Sequence, residues 1–396
     1  MKKKIHIITT SRADFTIWVP IIKSFINEKS FELKVIVTGT HYFSNLGETY
    51  KEVINKIDNK YLIEIPVQSN NSEYDFLAEM FVEYSEIISD AKKRPDFVLL
   101  LGDRYELLPI LNALVLNRIA IGHLYPAECD VSYCIDTQIR DAITKCSHLL
   151  FVTHNDYLKR LLAMGEEEWR IAVVGNSNME NNYVEGSKSI YEFLEEKSIV
   201  IPSNFNLVNC CYHPPTIHKG HWKQELPILF NALDKIHEKN MYIWSGINSD
   251  PDSYEMKVFL LEEIKKRENH FYFDSLGGDN YKSLLSNSIF TIGNSSSGLY
   301  EAPLHRCPTI NVGVRQSGRL HGDSVIDVKA DVNLIINAIN QVKTFSQSQF
   351  SNVFYQKEYP INIVHHIKQH IYNEGLMIKR LHMEEKSELR RVPDYL

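Results

Sequence analysis

Short apolar runs alternate along the whole chain with longer stretches in which apolar residues recur every three to four positions. In the first half the runs are Lys4–Ile8, Leu33–Thr38, Phe97–Leu101, Ala120–His123, Leu149–Thr153 and Ile171–Val174. Several are unbroken in Val, Ile and Leu, which suits parallel strands buried on both faces. Helical patterns lie between them at Thr16–Asn27, Glu73–Lys92 and Glu106–Asn117. The alternation predicts a doubly wound α/β domain. The pattern then restarts, with strands expected at Leu207–Tyr212, Tyr242–Trp244, His270–Phe273, Ile289–Ile292, Thr309–Val312 and Val325–Val328 and a helix at Trp222–His237.

The expected fold class is therefore α/β, with two Rossmann-like doubly wound domains. Residues 1–178 form the N-terminal domain, 179–364 the C-terminal domain, and 365–396 a C-terminal helix and charged tail. Gly175–Pro202, polar and poor in β-branched residues, reads as the linker. A length of 396 residues agrees with two domains at roughly 100–200 residues each. In open α/β sheets ligands bind outside the carboxyl ends of the strands, so the active site is expected in the crevice between the domains.

Composition changes this picture little. A net charge of −7 argues against a nucleic-acid partner, while leaving local arginines free to bind an anionic ligand. No apolar run approaches the ~18 residues that span a bilayer, and the basic start Lys2-Lys3-Lys4 is followed by only Ile5-His6-Ile7-Ile8 before polar residues. The six cysteines show no metal-binding spacing and read as small hydrophobes in a reducing compartment, so the expected location is the cytoplasm. No Walker A loop, no His/Cys metal cluster and no GxGxxG after the first strand is present, which predicts neither metal nor nicotinamide cofactor.

Four strand-end loops are chemically unusual. Thr10-Ser11-Arg12-Ala13-Asp14 places an Arg where a helix begins, although Ser11 or Asp14 can equally be a cap. Gly102-Asp103-Arg104-Tyr105-Glu106 opens a buried strand onto three charges, which need partners or a ligand; an Arg–Glu pair with a capping Asp is the alternative. His123 to His148 contains Glu128, Asp136 and Arg140, and Asp136 and Arg140 share a helix face as an i,i+4 pair. Carboxylates in one cleft can divide acid and base roles if their surroundings separate their pKa values. Gly293-Asn294-Ser295-Ser296-Ser297-Gly298 offers N–H groups and hydroxyls to phosphates, with Glu301 one turn later and Arg315 and Arg319 in the following loop. His213, after the first strand of the second half and before Pro214-Pro215, belongs with these as a phosphate or sugar contact.

These segments, taken in order with Thr38-Gly39-Thr40-His41 and Ala142-Ile143-Thr144-Lys145, resemble the hydrolysing UDP-N-acetylglucosamine 2-epimerases of sialic-acid and related nonulosonic-acid biosynthesis, over roughly residues 4–370. The resemblance implies a GT-B-like fold, a UDP-sugar substrate and no cofactor. UDP would leave by anti elimination across C1–C2, and water would add to the glycal to give N-acetylmannosamine. Asp103, Glu128 and Asp136 match the family's acidic positions, with Arg104 and Arg140 beside them. Arg12, His213, Ser296, Ser297 and Arg319 would hold the pyrophosphate and Glu301 the ribose. Asp14, His41, Gly293, Asn294, Ser295, Gly298 and Arg315 complete the implied nucleotide site, and the family suggests a homo-oligomer, dimer or tetramer. The chain departs from the family in one segment. His123-Leu124-Tyr125-Pro126-Ala127-Glu128 stands where the family has His-x-x-Gly-Gly-Glu, and Asp136-Thr137 and Arg140-Asp141 stand for Asp-Asp and Arg-His. The departure leaves open the same chemistry on another nucleotide sugar, such as a 2,4-diacetamido-trideoxy sugar, as well as a transferase, a non-hydrolysing epimerase or a binding protein without turnover.

Overall fold

The computed structural model describes residues 2–44, 47–68, 73–128, 135–176, 189–215, 219–247, 252–350, 353–354 and 358–380. Contacts divide the chain into two compact units, Met1–Glu128 with Gln138–Ser177 and Gln356–Leu396, and Cys129–Thr137 with Asn178–Tyr355.

The first unit runs β1 (Lys3–Thr9), α1 (Arg12–Asn27), β2 (Phe31–Val37), α2 (Tyr50–Lys56), β3 (Leu62–Glu64), α3 (Glu73–Ser89), β4 (Phe97–Leu101), α4 (Leu107–Leu116), β5 (Ala120–Leu124), α5 (Ile135–Cys146), β6 (Leu149–Val152), α6 (Asn155–Ala163) and β7 (Ile171–Val173). The strands form one sheet in the order β3-β2-β1-β4-β5-β6-β7, every neighbouring pair parallel. β4 shows why an unbroken apolar run is needed. Phe97, Leu99 and Leu101 face α1, while Val98 and Leu100 face α3 and α4, and all are buried. Each such side chain contributes about 2 kcal/mol by leaving water.

The second unit runs α7 (Ile190–Glu196), β8 (Asn206–Cys211), α8 (Trp222–Asp234), β9 (Asn240–Ser245), α9 (Ser253–Lys265), β10 (His270–Phe273), α10 (Gly278–Asn287), β11 (Ser288–Gly293), α11 (Ser297–Tyr300), β12 (Thr309–Val312), β13 (Val325–Val328) and α12 (Val332–Val342). Its sheet order is β10-β9-β8-β11-β12-β13, again all parallel. Each sheet therefore reverses its winding once, between β1 and β4 and between β8 and β11. These are the switch points at which such sheets bind ligands.

Three differences from the sequence reading have simple causes. β3 is only Leu62–Glu64 and ends on a charged residue, so it leaves no unbroken apolar run. The stretch read as linker contains α7, whose Ile190 and Leu194 pack beneath Leu207 and Ile243; residues 177–188 lie outside the described residues. The helix after the second sheet, α13 (Tyr359–His370), joins the first unit, where the sequence reading continues the second domain to residue 364. Its Tyr359, Ile363, Val364 and Ile367 form one apolar stripe, buried with Trp18, Ile22 and Phe25 of α1. The last described residues fasten to the same unit. Arg170, fully buried, donates to the carbonyls of Gly375, Leu376 and Ile378 at 2.6–3.3 Å. The charged tail from residue 381 lies outside the described residues. Among the described residues no helix is long and apolar enough to cross a membrane, and no His, Cys, Asp and Glu group has metal-binding geometry.

Candidate active site

At the first switch point β1 hands over to α1 through a capping box. Ser11 caps the helix, and the Asp14 carboxylate turns back to receive Thr9 Oγ1 at 2.6 Å, Thr10 N at 2.8 Å, Thr10 Oγ1 at 3.0 Å and Ser11 N at 3.2 Å. Burial pushes this carboxyl upward, and the donors act in the opposite sense. Thr9 gives its one hydroxyl proton to Asp14, so the contact of His41 Nε2 with Thr9 Oγ1 at 2.9 Å has the imidazole donating. His41 Nδ1 then accepts from Thr49 Oγ1 at 2.8 Å. This neutral tautomer agrees with burial lowering the His41 pKa to about 4. Arg12, at the first helical position, is exposed.

The second loop of this switch point carries the main charge cluster. Gly102 leaves β4 with φ +76°, and Asp103 meets Arg140, which reaches across from α5. Arg140 also donates through Nη1 to the Tyr125 carbonyl at 2.8 Å and faces Glu128 Oε2 at 3.5 Å. Glu128 Oε1 accepts from Thr153 Oγ1 at 2.8 Å. One guanidinium, with 7% of its side chain exposed, thus gathers two carboxylates that lie 25 positions apart in sequence. Behind them His123 donates from Nε2 to the Gly102 carbonyl at 2.7 Å and contacts Thr144 Oγ1 at 3.1 Å. Burial holds His123 far below its usual pKa, at about 3, which keeps it neutral beside Arg140. Arg104 pairs with buried Glu106 at 2.6 Å. Burial works against the Arg104 charge, and Glu106, Asp14 and Asp103 outweigh it. Asp136 sits in the first turn of α5.

The loop between His123 and Glu128 keeps an unusual backbone. Tyr125 and Ala127 both have left-handed φ, 62° and 61°. A residue with a Cβ pays roughly 1–2 kcal/mol for that region. The conformation aims the Tyr125 carbonyl at Arg140 and the Ala127 carbonyl at Arg160, 2.8 Å away in both cases. Ala127 thus adopts a glycine-like backbone at a position where the resembled family has glycine. The Tyr125 hydroxyl is held between Asn176 and Tyr359, at 3.2 and 3.1 Å.

In the second unit β8 and β11 end side by side. Gly293 has φ +144°, and a Cβ there would lie 2.0 Å from the Cys211 carbonyl oxygen, so only glycine allows this approach. Asn294 then ties the two loops together. Its Oδ1 accepts from His213 N at 2.7 Å and its Nδ2 donates to His213 O at 2.8 Å. Arg315 Nη1 and Gln316 Nε2 both donate to the Asn294 carbonyl, at 3.1 and 2.9 Å. Burial drives the His213 pKa well down, and Arg315 adds to the effect. Ser295 accepts from the amide of Ser297, at 3.4 Å, so the serine turn is bonded within itself. The helix it starts is one turn long, Ser297–Tyr300, followed by a 3-10 turn. Ser297 Oγ contacts the Tyr281 hydroxyl, and Gly298 lies against Thr309, whose Oγ1 donates to its carbonyl at 2.7 Å. Burial raises the carboxyl of Glu301, with Ser297 as an opposing donor. Arg319 is half-buried at the end of the next loop.

The structure therefore brings Asp103, Glu128 and Arg140 into contact. It joins His213, Asn294 and Arg315 in a second cluster. Sequence reasoning missed Thr153, Arg160, Tyr281 and Gln316 as supports of these clusters. Only Gln316, directly after Arg315, carried a local signal; the others act over separations of 16 to 33 positions.

Two all-parallel sheets with this strand order, each presenting its polar loops at the switch point, define a GT-B-like α/β protein. The bound Neisseria meningitidis UDP-GlcNAc 2-epimerase structure superimposes with a TM-score of 0.77 at 16% identity, covering 92% of this chain and 100% of that one, which bears on the fold alone. Residues 23–368 match the family model described as UDP-N-acetylglucosamine 2-epimerase. The GDP/UDP-N,N'-diacetylbacillosamine 2-epimerase (hydrolyzing) of Campylobacter jejuni is 32% identical over 354 residues, 88% of this chain and 90% of that protein. The UDP-N-acetylglucosamine 2-epimerase of Neisseria meningitidis is 29% identical over 355 residues, 89% and 90% of the two chains. The chain belongs to the UDP-N-acetylglucosamine 2-epimerase family and is an enzyme.

Proposed function

We propose that the enzyme hydrolyses UDP-GlcNAc with inversion at C2, releasing UDP and N-acetylmannosamine. The observation that carries this is the pairing of Asp103 and Glu128 through one buried Arg140. Anti elimination needs a base for the C2 proton, and hydration of the glycal needs an acid and a base in turn. Asp103, Glu128 and Asp136 supply these groups, with Arg140 fixing the first two. Arg104 keeps its charge beside them. In the second unit His213, Ser295, Ser296, Ser297, Arg315 and Arg319 hold the pyrophosphate, so that departing charge meets fixed donors. Glu301 holds the ribose. Gly293, Gly298 and Asn294 shape this loop, and Asp14 and His41 hold the β1–α1 turn, since their polar atoms already face Thr9, Thr10, Ser11 and Thr49. The reaction is redox-neutral and uses no cofactor. The enzyme works in the cytoplasm as a homodimer or homotetramer, which light scattering on the purified chain tests.

A specific observation favours a second substrate. Pro126 and left-handed Ala127 fill a loop that the family builds from two glycines, beside Glu128. The Campylobacter relative is named for a diacetylbacillosamine nucleotide. Incubation with UDP-GlcNAc and with UDP-2,4-diacetamido-2,4,6-trideoxyglucose, each followed for UDP and free sugar, decides between the donors. Release from neither, with UDP still bound, refutes both.

A further inference from the structure

Arg160, on α6, has no part in the reading above. Its Nη1 donates to the Ala127 carbonyl at 2.8 Å, and its Nη2 faces Asp141 Oδ2 at 3.3 Å. Asp141 follows Arg140 on α5 and stands where the resembled family has His. Two arginines thus grip one short loop: Arg140 the carbonyl of Tyr125, Arg160 that of Ala127. Ala127, between the gripped carbonyls, has φ 61°. An alanine without that hold relaxes toward the right-handed or extended regions, and rotation at Ala127 re-aims the next residue, Glu128. The side chains of Arg160 and Asp141 are 29% and 34% exposed, so neither is a support of the core.

We propose that Arg160 and Asp141 are positioning residues for Glu128. They hold Ala127 left-handed, and so keep the Glu128 carboxylate beside Arg140 and Thr153. The consequence for turnover rests on the epimerase reading, whereas the consequence for the loop does not.

The test is a double-mutant cycle on the full chain. Arg160→Gln should lower kcat about 10- to 100-fold, the size expected for a reacting group misplaced by an ångström, and leave the inhibition constant of UDP unchanged. In the A127G background, where glycine takes the left-handed form without strain, the same change should cost less than about threefold. Asp141→Asn should move kcat in the same direction by a smaller factor. Equal losses from Arg160→Gln in both backgrounds would overturn the proposal. Hydrogen exchange of the backbone over residues 124–128 supplies a readout that needs no substrate. Faster exchange in Arg160→Gln than in the unaltered chain supports the proposal, and unchanged exchange refutes it. Faster exchange in a chain that releases no UDP from any donor would defeat the epimerase reading and leave the loop assignment standing.

Discussion

Replacing Arg140 by Met removes the guanidinium that joins Asp103 to Glu128 and keeps a flexible apolar side chain in its volume. Three interactions disappear, those with Asp103, Glu128 Oε2 and the Tyr125 carbonyl. Breaking a buried pair by removing one partner costs about 3–5 kcal/mol. Glu128 retains its bond from Thr153, and Asp103 is 24% exposed, so the cost falls near the lower bound, about 3 kcal/mol. Urea melts of Arg140→Met and the unaltered enzyme measure this difference, and UDP release should fall at least about a thousandfold. A loss below about 1 kcal/mol would refute the account of the cluster.

Three further outcomes follow from the same geometry. Asp103→Asn and Asp136→Asn should each abolish turnover with UDP affinity within about threefold of normal; near-normal UDP release from either variant removes its proposed role. Gly293→Ala places a Cβ 2.0 Å from the Cys211 carbonyl and should destabilise the second unit by about 3–4 kcal/mol, seen as an early unfolding transition together with lost UDP binding. Glu301→Ala should weaken UDP binding about tenfold by calorimetry with little change in kcat at saturating substrate, and the reverse split would place Glu301 in the chemistry instead of at the ribose.

Much of the fold is legible in the sequence because strands buried on both faces must be apolar throughout. Phe97–Leu101, His270–Phe273, Thr309–Val312 and Val325–Val328 begin and end where the apolar runs do. β3, with three residues, is fixed by its pairing to β2 and leaves no such trace. The strand-end loops stand out because charge and glycine follow directly on buried runs. Their internal wiring does not. Ser11-x-x-Asp14 carries a capping signature that a single sequence exposes, yet the relay from Thr49 through His41 and Thr9 to Asp14 depends on two loops meeting at Thr10 and Gly39. Arg140 reads as one member of an i,i+4 pair with Asp136, whereas its bonds to Asp103 and Tyr125 span 37 and 15 positions. Arg160 looks like any charge on an amphipathic helix until the fold brings Ala127 to it.

The most direct test of the central claim is to incubate the enzyme with UDP-GlcNAc in deuterated water and follow UDP and free sugar by NMR. The account predicts release of UDP together with N-acetylmannosamine carrying deuterium at C2, because the proton there is removed and replaced from solvent. UDP release with a free sugar that keeps its original C2 hydrogen and configuration would contradict it, since that product arises by simple hydrolysis without elimination.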